Sequence, residues 1–181
     1  MSNQFVDYDS YLQALEMCGN VTVVGEREVP RFTQLLNKSN QFNLRTERYT
    51  EGEISDMLDN PQYSLLAFEL KDKFSDYGII SCVILEWQEK QCFIRSWVMS
   101  CRVLKRGVEY MMFDRIYQLA GEKKVAQIKG EYLPTKKNVL VKDFLDDLGF
   151  DLDYANEAGE KYYHWDIAKQ PMQKYFIKEI N

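Results

Sequence analysis

The hydrophobic positions before residue 60 predict three helices. Apolar residues recur at helical spacing over residues 11–17, and Asp7 or Asp9 is placed to cap that helix. Pro30 suits the first turn of a second helix, which carries aromatic and leucine side chains on one face. Residues 50–53 form a capping-box sequence that opens a third helix. Amphipathic helices of this kind typically cover one face of a sheet.

Strand-type patterns separate and follow these helices. Residues 21–24 are a β-branched run, which predicts a strand between the first two helices. Residues 63–70, 77–87 and 91–99 are three further apolar runs, and only short polar links separate them. Because short links join antiparallel neighbours, these three strands are predicted to form an antiparallel meander.

The second half of the chain predicts a parallel crossover within a mixed sheet. Residues 108–120 place apolar side chains on one helical face, and residues 125–132 follow as a strand. A strand, a helix and a second strand in this order form a right-handed parallel unit. The remaining elements are a helix at 138–148 and a strand pair at 150–154 and 161–167. The fold class is therefore α/β.

The composition is that of one globular domain over residues 1–181, long enough to bury a core. A net charge of -5 and a pI near 5.1 argue against a general nucleic-acid binder. The four cysteines show no metal-ligand spacing, so free thiols and a reduced, cytoplasmic setting are expected. Neither a secretory signal nor an apolar run of about 20 residues, the length of a membrane span, is evident.

Residues 100–109 join the third meander strand to the following helix through one glycine and three cations. The first N–H groups of a helix lack internal partners, and the helix dipole favours an anion there. Gly107 lets the backbone approach a ligand, while Arg102, Lys105 and Arg106 add positive charge. This pattern favours a phosphate or pyrophosphate cradle. The alternative is an ordinary strand-to-helix turn with solvated charges.

Residues 37–44 concentrate amide side chains between two predicted helices. Amides break helices because they hydrogen-bond to nearby backbone groups. Asn40, Gln41 and Asn43 therefore either cap a loop or form a polar wall that contacts an acyl group or a pantetheine amide. Composition alone favours the capped loop.

Cys101 is the candidate nucleophile of the loop. A thiol near a helix N-terminus and Arg102 is expected to have a lowered pKa and to be the most reactive of the four cysteines. Asp76 and Glu109 are candidate bases, although a solvated carboxylate is the simpler role for each. The single histidine, His164, fits a strand position better than a catalytic one.

The loop is similar to the motif (Gln/Arg)-x-x-Gly-x-(Gly/Ala), which wraps the coenzyme A pyrophosphate in GNAT acyltransferases. Arg102 takes the first position, Lys105 stands where the first glycine is expected, and Gly107 takes the last. From about Tyr8 to the last strand, the chain resembles the C-terminal acyltransferase-like domain of FkbH-like proteins. The residues that carry this resemblance are Arg31-x-x-Gln34-Leu35, Asn37-Lys38-x-Asn40-Gln41-Phe42-Asn43-Leu44, Arg48-Tyr49, Asp76-Tyr77-Gly78, Ser100-Cys101-Arg102-Val103, Arg106-Gly107-Val108-Glu109, Pro134-Thr135-x-x-Asn138 and Leu148-Gly149-Phe150.

The resemblance implies a GNAT-like fold with a mixed, mostly antiparallel central sheet flanked by helices. It also implies a thioester of coenzyme A or of phosphopantetheine on an acyl carrier protein. No metal is expected, because the sequence shows no cluster of metal ligands. FkbH-like proteins usually add a HAD-type phosphatase domain, and they supply glyceryl units that lead to methoxymalonyl carrier proteins. The Asp-rich phosphatase motif is missing here, so a separate HAD-type protein is an expected partner. Neither nucleic acid nor membrane is an expected partner.

The predicted site residues fall into three groups. The catalytic candidates are Cys101, Asp76 and Glu109. The expected cofactor contacts are Arg102, Val103, Leu104, Lys105, Arg106, Gly107, Val108 and Asn138. The expected substrate contacts are Asn40, Gln41, Asn43, Trp97 and Ser100.

Two functions remain open from the sequence. The first is a GNAT-fold acyltransferase, which four retained motif residues favour: Arg102, Arg106, Gly107 and Asn138. The second is a non-catalytic module that docks a carrier protein or a HAD-type phosphatase. Lys105 favours this second function, as does Leu145, which stands where many GNAT enzymes place a tyrosine general acid.

Overall fold

A computed structural model describes residues 2–180, with side chains described over residues 7–180. The helices are α1 (Ser2–Ala14), α2 (Val29–Lys38), α3 (Glu51–Leu58), α4 (Val108–Glu122) and α5 (Phe144–Leu148). The strands are β1 (Cys18–Val23), β2 (Tyr63–Lys71), β3 (Asp76–Trp87), β4 (Gln91–Met99), β5 (Gln127–Tyr132), β6 (Asp151–Ala155), β7 (Lys161–Asp166) and β8 (Lys178–Glu179). Single 3-10 turns lie at Glu26–Glu28, Cys101–Val103 and Val139–Val141.

The strands form one mixed sheet in the order β6-β7-β5-β4-β3-β2-β1-β8. The predicted meander is confirmed, because β2, β3 and β4 are consecutive antiparallel neighbours. The predicted crossover is also confirmed, because β4 and β5 pair in parallel with α4 between them in the chain. The short β8 pairs in parallel with β1 and was not predicted, since two residues give no recognisable periodicity.

Two apolar layers hold the sheet between the helices. On one face, α2 and α3 bury residues such as Phe32 and Ile54 against β2, β3 and β4. On the other face, α1, α4 and α5 pack with a larger cluster that includes Trp97 and Trp165. Each fully buried aliphatic or aromatic side chain contributes about 1.5–3 kcal/mol, so these two layers supply most of the driving force for folding.

Two predicted helices differ in their boundaries. The first helix begins at Ser2, so Asp7 and Asp9 lie within it rather than at its start. The helix expected over residues 138–148 is divided into the 3-10 turn Val139–Val141 and α5, because Asp143 (φ -110°, ψ 13°) leaves the helical conformation. The apolar spacing is preserved across this break, which is why the sequence did not reveal it.

The parallel strands β4 and β5 pair over only a short stretch, residues 91–93 with residues 127–129. Beyond it the wedge segment, residues 42–45, lies between the two strands. Asn43 forms an antiparallel bridge with Val98, and the Leu44 N–H donates to the Trp97 carbonyl at 3.4 Å. This inserted segment determines where an open cleft remains.

Candidate functional site

A cleft of about 820 Å³ opens at the carboxyl end of β4. One wall is the end of α2 with the amide stretch, and the others are residues 99–101 and the segment that follows β5. A volume of this size is within the range that holds a small-molecule ligand. The residues that line the cleft are Leu35, Lys38, Ser39, Asn40, Gln41, Phe42, Met99, Ser100, Cys101, Lys136 and Lys137.

Cys101 lines this cleft and is exposed. Its thiol donates to the Gln41 side-chain oxygen, with Sγ 3.3 Å from Oε1. Ser100 precedes it as the cap of the 3-10 turn, and the Ser100 Oγ accepts from the Arg102 N–H. The thiol therefore lies in the 3-10 turn Cys101–Val103, whereas the helix whose N-terminus it was expected to be near, α4, begins at Val108.

The other three cysteines are less accessible. Cys82 and Cys92 are fully buried on strands, and burial raises the pKa of the Cys82 thiol strongly and that of the Cys92 thiol to about 12. Cys18 is half-buried, with its Sγ 3.9 Å from the Glu16 carbonyl oxygen. Accessibility thus sets Cys101 apart from the rest, and its labelling remains to be measured.

The side chains of the amide stretch, residues 37–44, lie in two different environments. Asn40 and Gln41 line the cleft, and the Asn40 Oδ1 accepts a hydrogen bond from the Arg48 guanidinium. Asn43 is 1 % exposed and its amide is used within the loop: Oδ1 accepts from the Thr46 N–H at 2.8 Å and Nδ2 donates to the Ser39 carbonyl at 3.0 Å. Two of the three predicted contacts therefore face the Cys101 cleft, and the third caps the loop.

The wedge segment is fixed to both diverging strands. The Met99 N–H donates to the Phe42 carbonyl at 3.2 Å, and the Leu133 N–H donates to the Leu44 carbonyl at 2.9 Å. The Asn138 Nδ2 donates to the Asn43 carbonyl at 2.9 Å. The backbone edge of β4 is therefore already paired at the point where an extended ligand could otherwise add to it.

The loop before α4 has the backbone conformation of an anion-binding loop, but another segment of the chain packs against it. Lys105 (φ 62°) and Gly107 (φ 84°) both adopt the left-handed conformation that favours glycine. The N–H groups of residues 104–107 donate to no acceptor among the described residues. A Cβ on Gly107 would lie 3.0 Å from the Lys174 carbonyl oxygen and 3.1 Å from Tyr175 Cβ. The chain after β7 therefore covers one side of the loop.

Arg106 is held by a buried partner. Its Nη1 lies 2.7 Å from the Oδ2 of Asp72, whose side chain is 1 % exposed. Burial raises the pKa of the Asp72 carboxyl, but hydrogen bonds from the Phe74 N–H, from Arg106 and from the Ser75 N–H more than offset this and hold the pKa below its usual range. The sequence predicted that the Arg106 guanidinium donates to a phosphate. In the structure, part of that guanidinium is already paired with Asp72.

Glu109 lies on the other side of the loop, at a second cavity of about 640 Å³. Burial, together with the negative charge of Asp147, raises the pKa of its carboxyl. Its Oε2 atom is buried and has no hydrogen-bond partner among the described residues. Glu109 lines this second cavity with Lys105 and Gly107, but it does not line the Cys101 cleft.

Three further predicted residues lie away from both cavities. Trp97 is fully buried and packs edge-on against Phe144, with ring centroids 4.9 Å apart. Asn138 is also fully buried, and its amide bonds only to groups of the chain. Asp76 is exposed and its Oδ1 accepts from the Gly78 N–H, as is typical of a turn. Leu145 is a core residue beside Gly130.

The sequence reasoning missed the lysines of the cleft. Lys38 ends α2, while Lys136 and Lys137 follow Pro134-Thr135 after β5. The only available signal was the adjacent lysine pair within the Pro134-Thr135-x-x-Asn138 motif, because nothing in the sequence brings Lys38 beside it. Among the described residues no group of acidic, histidine or cysteine side chains could hold a metal ion, and no helix is long and apolar enough to cross a membrane.

Comparison with solved structures identifies the class of fold. The ribosomal-protein-S18-alanine N-acetyltransferase of Escherichia coli matches 87% of this chain and 99% of its own, with a TM-score of 0.60 and 12% identity. The GNAT domain of S. lividans PAT matches 82% and 90%, with a TM-score of 0.61 and 15% identity. The PaiA N-acetyltransferase of Thermoplasma acidophilum, in complex with coenzyme A, matches 82% and 98%, with a TM-score of 0.64 and 8% identity.

The protein therefore has the GNAT acetyltransferase fold, as the sequence predicted. No protein-family model and no curated protein matches the sequence. At identities of 8% to 15% these likenesses define the fold and leave the substrates to the chemistry of the site.

Proposed function

We propose that this protein transfers an acyl group from a thioester of coenzyme A or of an acyl carrier protein, with the reacting carbonyl bound beside Cys101. The observation that carries the proposal is the cleft itself, which combines an exposed thiol, two amides and three lysines at the end of β4. The GNAT fold supports a thioester donor, and a neighbour of this fold is solved with coenzyme A.

Cys101 is the proposed acyl acceptor in the first step. Its sulfur attacks the thioester carbon, a new carbon–sulfur bond forms, and the bond to the donor sulfur breaks. The thiol proton passes to the departing sulfur, so the step conserves both atoms and charge. The side-chain N–H groups of Asn40 and Gln41 donate to no acceptor among the described residues and are available to the carbonyl oxygen.

The loop before α4 offers groups that suit the phosphate end of the donor. The N–H groups of residues 104–107 and the Lys105 ammonium are the groups proposed to hold it. The wedge segment pairs with β4 at residues 97–99, so the donor is proposed to enter from the open mouth of the cleft rather than as an added strand.

Cysteine labelling with and without ligand tests the binding step. After brief iodoacetamide treatment, mass spectrometry should find Cys101 alkylated well before Cys18, Cys82 and Cys92, and coenzyme A should slow that alkylation. Equal labelling of Cys18 and Cys101, or no protection by millimolar coenzyme A, would contradict the proposal.

Incubation with acetyl-coenzyme A tests the transfer step. Intact-protein mass spectrometry should detect one added acetyl group, which peptide mapping places on Cys101, together with release of free thiol. The Cys101→Ser variant should take up no acetyl thioester, whereas Cys18→Ser should behave as the wild type. Turnover that survives in Cys101→Ser would mean direct transfer from donor to acceptor, with Cys101 only lining the cleft.

The finer assignments rest on the resemblance to FkbH-like proteins. We propose an acyl carrier protein as donor or acceptor, a role with glyceryl or methoxymalonyl units, and a separate HAD-type phosphatase as partner. The single domain and the cytoplasmic setting belong to the same proposal. Cys101 protection by holo carrier protein, compared with the apo form that lacks phosphopantetheine, tests the carrier assignment.

A non-catalytic binding module is the second candidate. Three observations favour it: the wedge segment occupies the edge of β4, Asp72 engages Arg106, and the chain near Lys174 covers Gly107. On this alternative, a holo carrier protein binds and protects Cys101, but no acyl group moves. Protection without acetylation would therefore select the module, and acetylation with turnover would select the enzyme.

A further inference from the structure

We propose that the Cys101 cleft recognises an anionic group, a carboxylate or a phosphoryl group, carried by the acyl chain or by its acceptor. The groups that bind it are the ammonium groups of Lys38, Lys136 and Lys137. This inference rests on the proposed function, because it names the substrate class for the same cleft. It adds a preference for a charged acyl group or acceptor over a neutral one.

The charge of the cleft differs in sign from that of the molecule. The chain carries a net charge of -5, yet the lining of the cleft includes three lysines and, among the described residues, no acidic side chain. Within residues 7–180 none of these lysines makes an ion pair, whereas other lysines such as Lys129 and Lys161 do. A cleft lined by positive charges raises the local concentration of anions.

The lysines come from two segments that are distant in the chain but line one cleft. Lys38 is the last residue of α2, and Lys136 and Lys137 follow β5. Cys101 and Gln41 line the same cleft. A single exposed ion pair contributes only about 0–1 kcal/mol, so recognition requires the lysines to act together on one ligand.

The alternative is that the three lysines are a chance grouping of solvated side chains that recognises no anion. The rates at which charged and neutral reagents alkylate Cys101 distinguish this alternative from the proposal. Iodoacetate is anionic and iodoacetamide is neutral, so the ratio of their rates reports the potential at the thiol. Substituting Lys38, Lys136 and Lys137 together with Gln should lower that ratio by about three- to tenfold at low salt. The matched control substitutes the exposed Lys71, Lys90 and Lys142, which changes the net charge equally.

The control triple variant should lower the rate ratio by less than about twofold, because none of its lysines lines the Cys101 cleft. Salt near 1 M should lower the wild-type ratio towards that of the cleft variant, since screening then acts over about 3 Å. All six lysines are exposed, so both variants should fold, which a thermal melt verifies. An equal fall in both triple variants, or no fall in either, would overturn the proposal.

Protection of Cys101 by small anions identifies the group that binds. Succinate and inorganic phosphate are the charged probes, and succinamide is the uncharged one, with iodoacetamide as the label. Stronger protection by succinate assigns a carboxylate, and stronger protection by phosphate assigns a phosphoryl group. Protection by neither anion, or equal protection by succinamide, would refute anion recognition.

The outcomes distinguish failure of the anion-recognition proposal from failure of the proposed acyltransferase function. Anion protection without acyl transfer would keep the charged cleft and remove the enzyme. Acyl transfer with the same kcat/KM for acetyl-coenzyme A and succinyl-coenzyme A would keep the enzyme and remove the charge preference for the acyl chain. Both proposals hold if succinyl transfer exceeds acetyl transfer in the wild type and the preference is lost in the cleft triple variant.

Discussion

At the scale of single residues, Glu109 is the carboxyl group least suited to ionise. It lies in the first turn of α4, where the helix dipole favours a negative charge. Burial and the charge of Asp147 nevertheless raise its pKa, and its Oε2 has no partner among the described residues. Desolvation therefore outweighs the dipole at this position.

Glu109→Gln should stabilise the protein increasingly as the pH rises. The raised pKa means that the folded state resists deprotonation, so wild-type stability declines as the pH rises above the ordinary value of 4.5. Glutamine removes that penalty, so the gain should be largest near pH 8 and vanish well below pH 4.5. Urea unfolding at several pH values measures it.

Glu51→Gln is the matched control for this change, since Glu51 lies in the first turn of α3 and is exposed. It should lose a few tenths of a kcal/mol at neutral pH through the helix dipole alone. A gain for Glu109→Gln that does not vary between pH 4 and pH 8 would contradict the assigned pKa direction.

Arg106→Ala should destabilise the fold before it affects any ligand. It leaves the buried Asp72 carboxylate without its cation, at a cost of roughly 2–3 kcal/mol at pH 7. The lowered pKa of Asp72 contributes stability above the ordinary carboxyl range that is lost as the pH falls through the folded value. The penalty should therefore shrink below about pH 4.

Chemical denaturation measures this penalty, with Arg115→Ala as control. Arg115 lies on α4 and its guanidinium donates to Gln118 at 3.3 Å, so its removal should cost less than about 0.5 kcal/mol. A similar loss in both variants, or a penalty for Arg106→Ala that does not depend on pH, would count against the pairing with Asp72.

At the scale of elements, the wedge segment replaces direct pairing between β4 and β5. Its backbone bonds to Trp97 and Met99 on one side and to Leu133 on the other, and Asn138 clamps it through the Asn43 carbonyl. Parallel strands that diverge leave N–H and C=O groups unpaired, which is costly inside a core. The inserted segment pairs with such groups on Trp97, Met99 and Leu133, and its Phe42 lines the cleft.

Asn138→Ala should therefore loosen this region in particular. It removes donors to the Asn43 and Leu133 carbonyls and the acceptor of the Thr135 N–H, at a cost of about 2–4 kcal/mol. Amide hydrogen exchange should accelerate at Leu44 and Leu133 well before the amides of β2 and β3 respond. Acceleration spread evenly over the sheet would argue against a local clamp.

Asn60→Ala is the control for this change, because Asn60 is exposed and its side-chain oxygen accepts only from the Gln62 N–H. It should cost about 0.5–1 kcal/mol and leave exchange at the wedge segment unchanged. A loss in Asn60→Ala as large as that in Asn138→Ala would contradict the role assigned to burial.

At the scale of the whole molecule, the buried cysteines report on both apolar layers. Cys82 packs with α2 and α3 on one face, and Cys92 belongs to the cluster on the other face. Without denaturant, both should label at least about a thousandfold more slowly than Cys101, because burial blocks access to the thiol. In urea, both should label together and in step with the loss of helix signal, as expected for a two-state domain.

A variant with Cys18→Ser and Cys101→Ser isolates these two buried thiols. Thiol labelling across a urea titration, read by mass spectrometry, gives one midpoint for each cysteine. Labelling of Cys92 at clearly lower urea than Cys82 would mean that one helical layer detaches before the other, and that the sheet does not unfold as a unit.

Local spacing was sufficient to predict most of the fold. Periodic apolar positions in the meander and in α4 fixed the strand order of β2, β3 and β4 and the parallel crossover to β5. Such patterns record which face each residue buries, and this depends on near neighbours in the chain. The loop before α4 was predicted from Gly107 and its neighbouring cations, whereas only the structure shows that Lys105 shares the positive φ of Gly107.

The site depended on contacts between residues distant in the chain. The sequence by itself determined the GNAT fold, an exposed thiol at Cys101 and an amide stretch before it. Only the tertiary structure decided that residues 42–45 enter the gap beyond residue 93, that Asp72 holds Arg106, and that Lys38, Lys136 and Lys137 line one cleft. The physical reason is that unpaired backbone groups and buried charges find partners in space, and no periodicity along the chain records that choice.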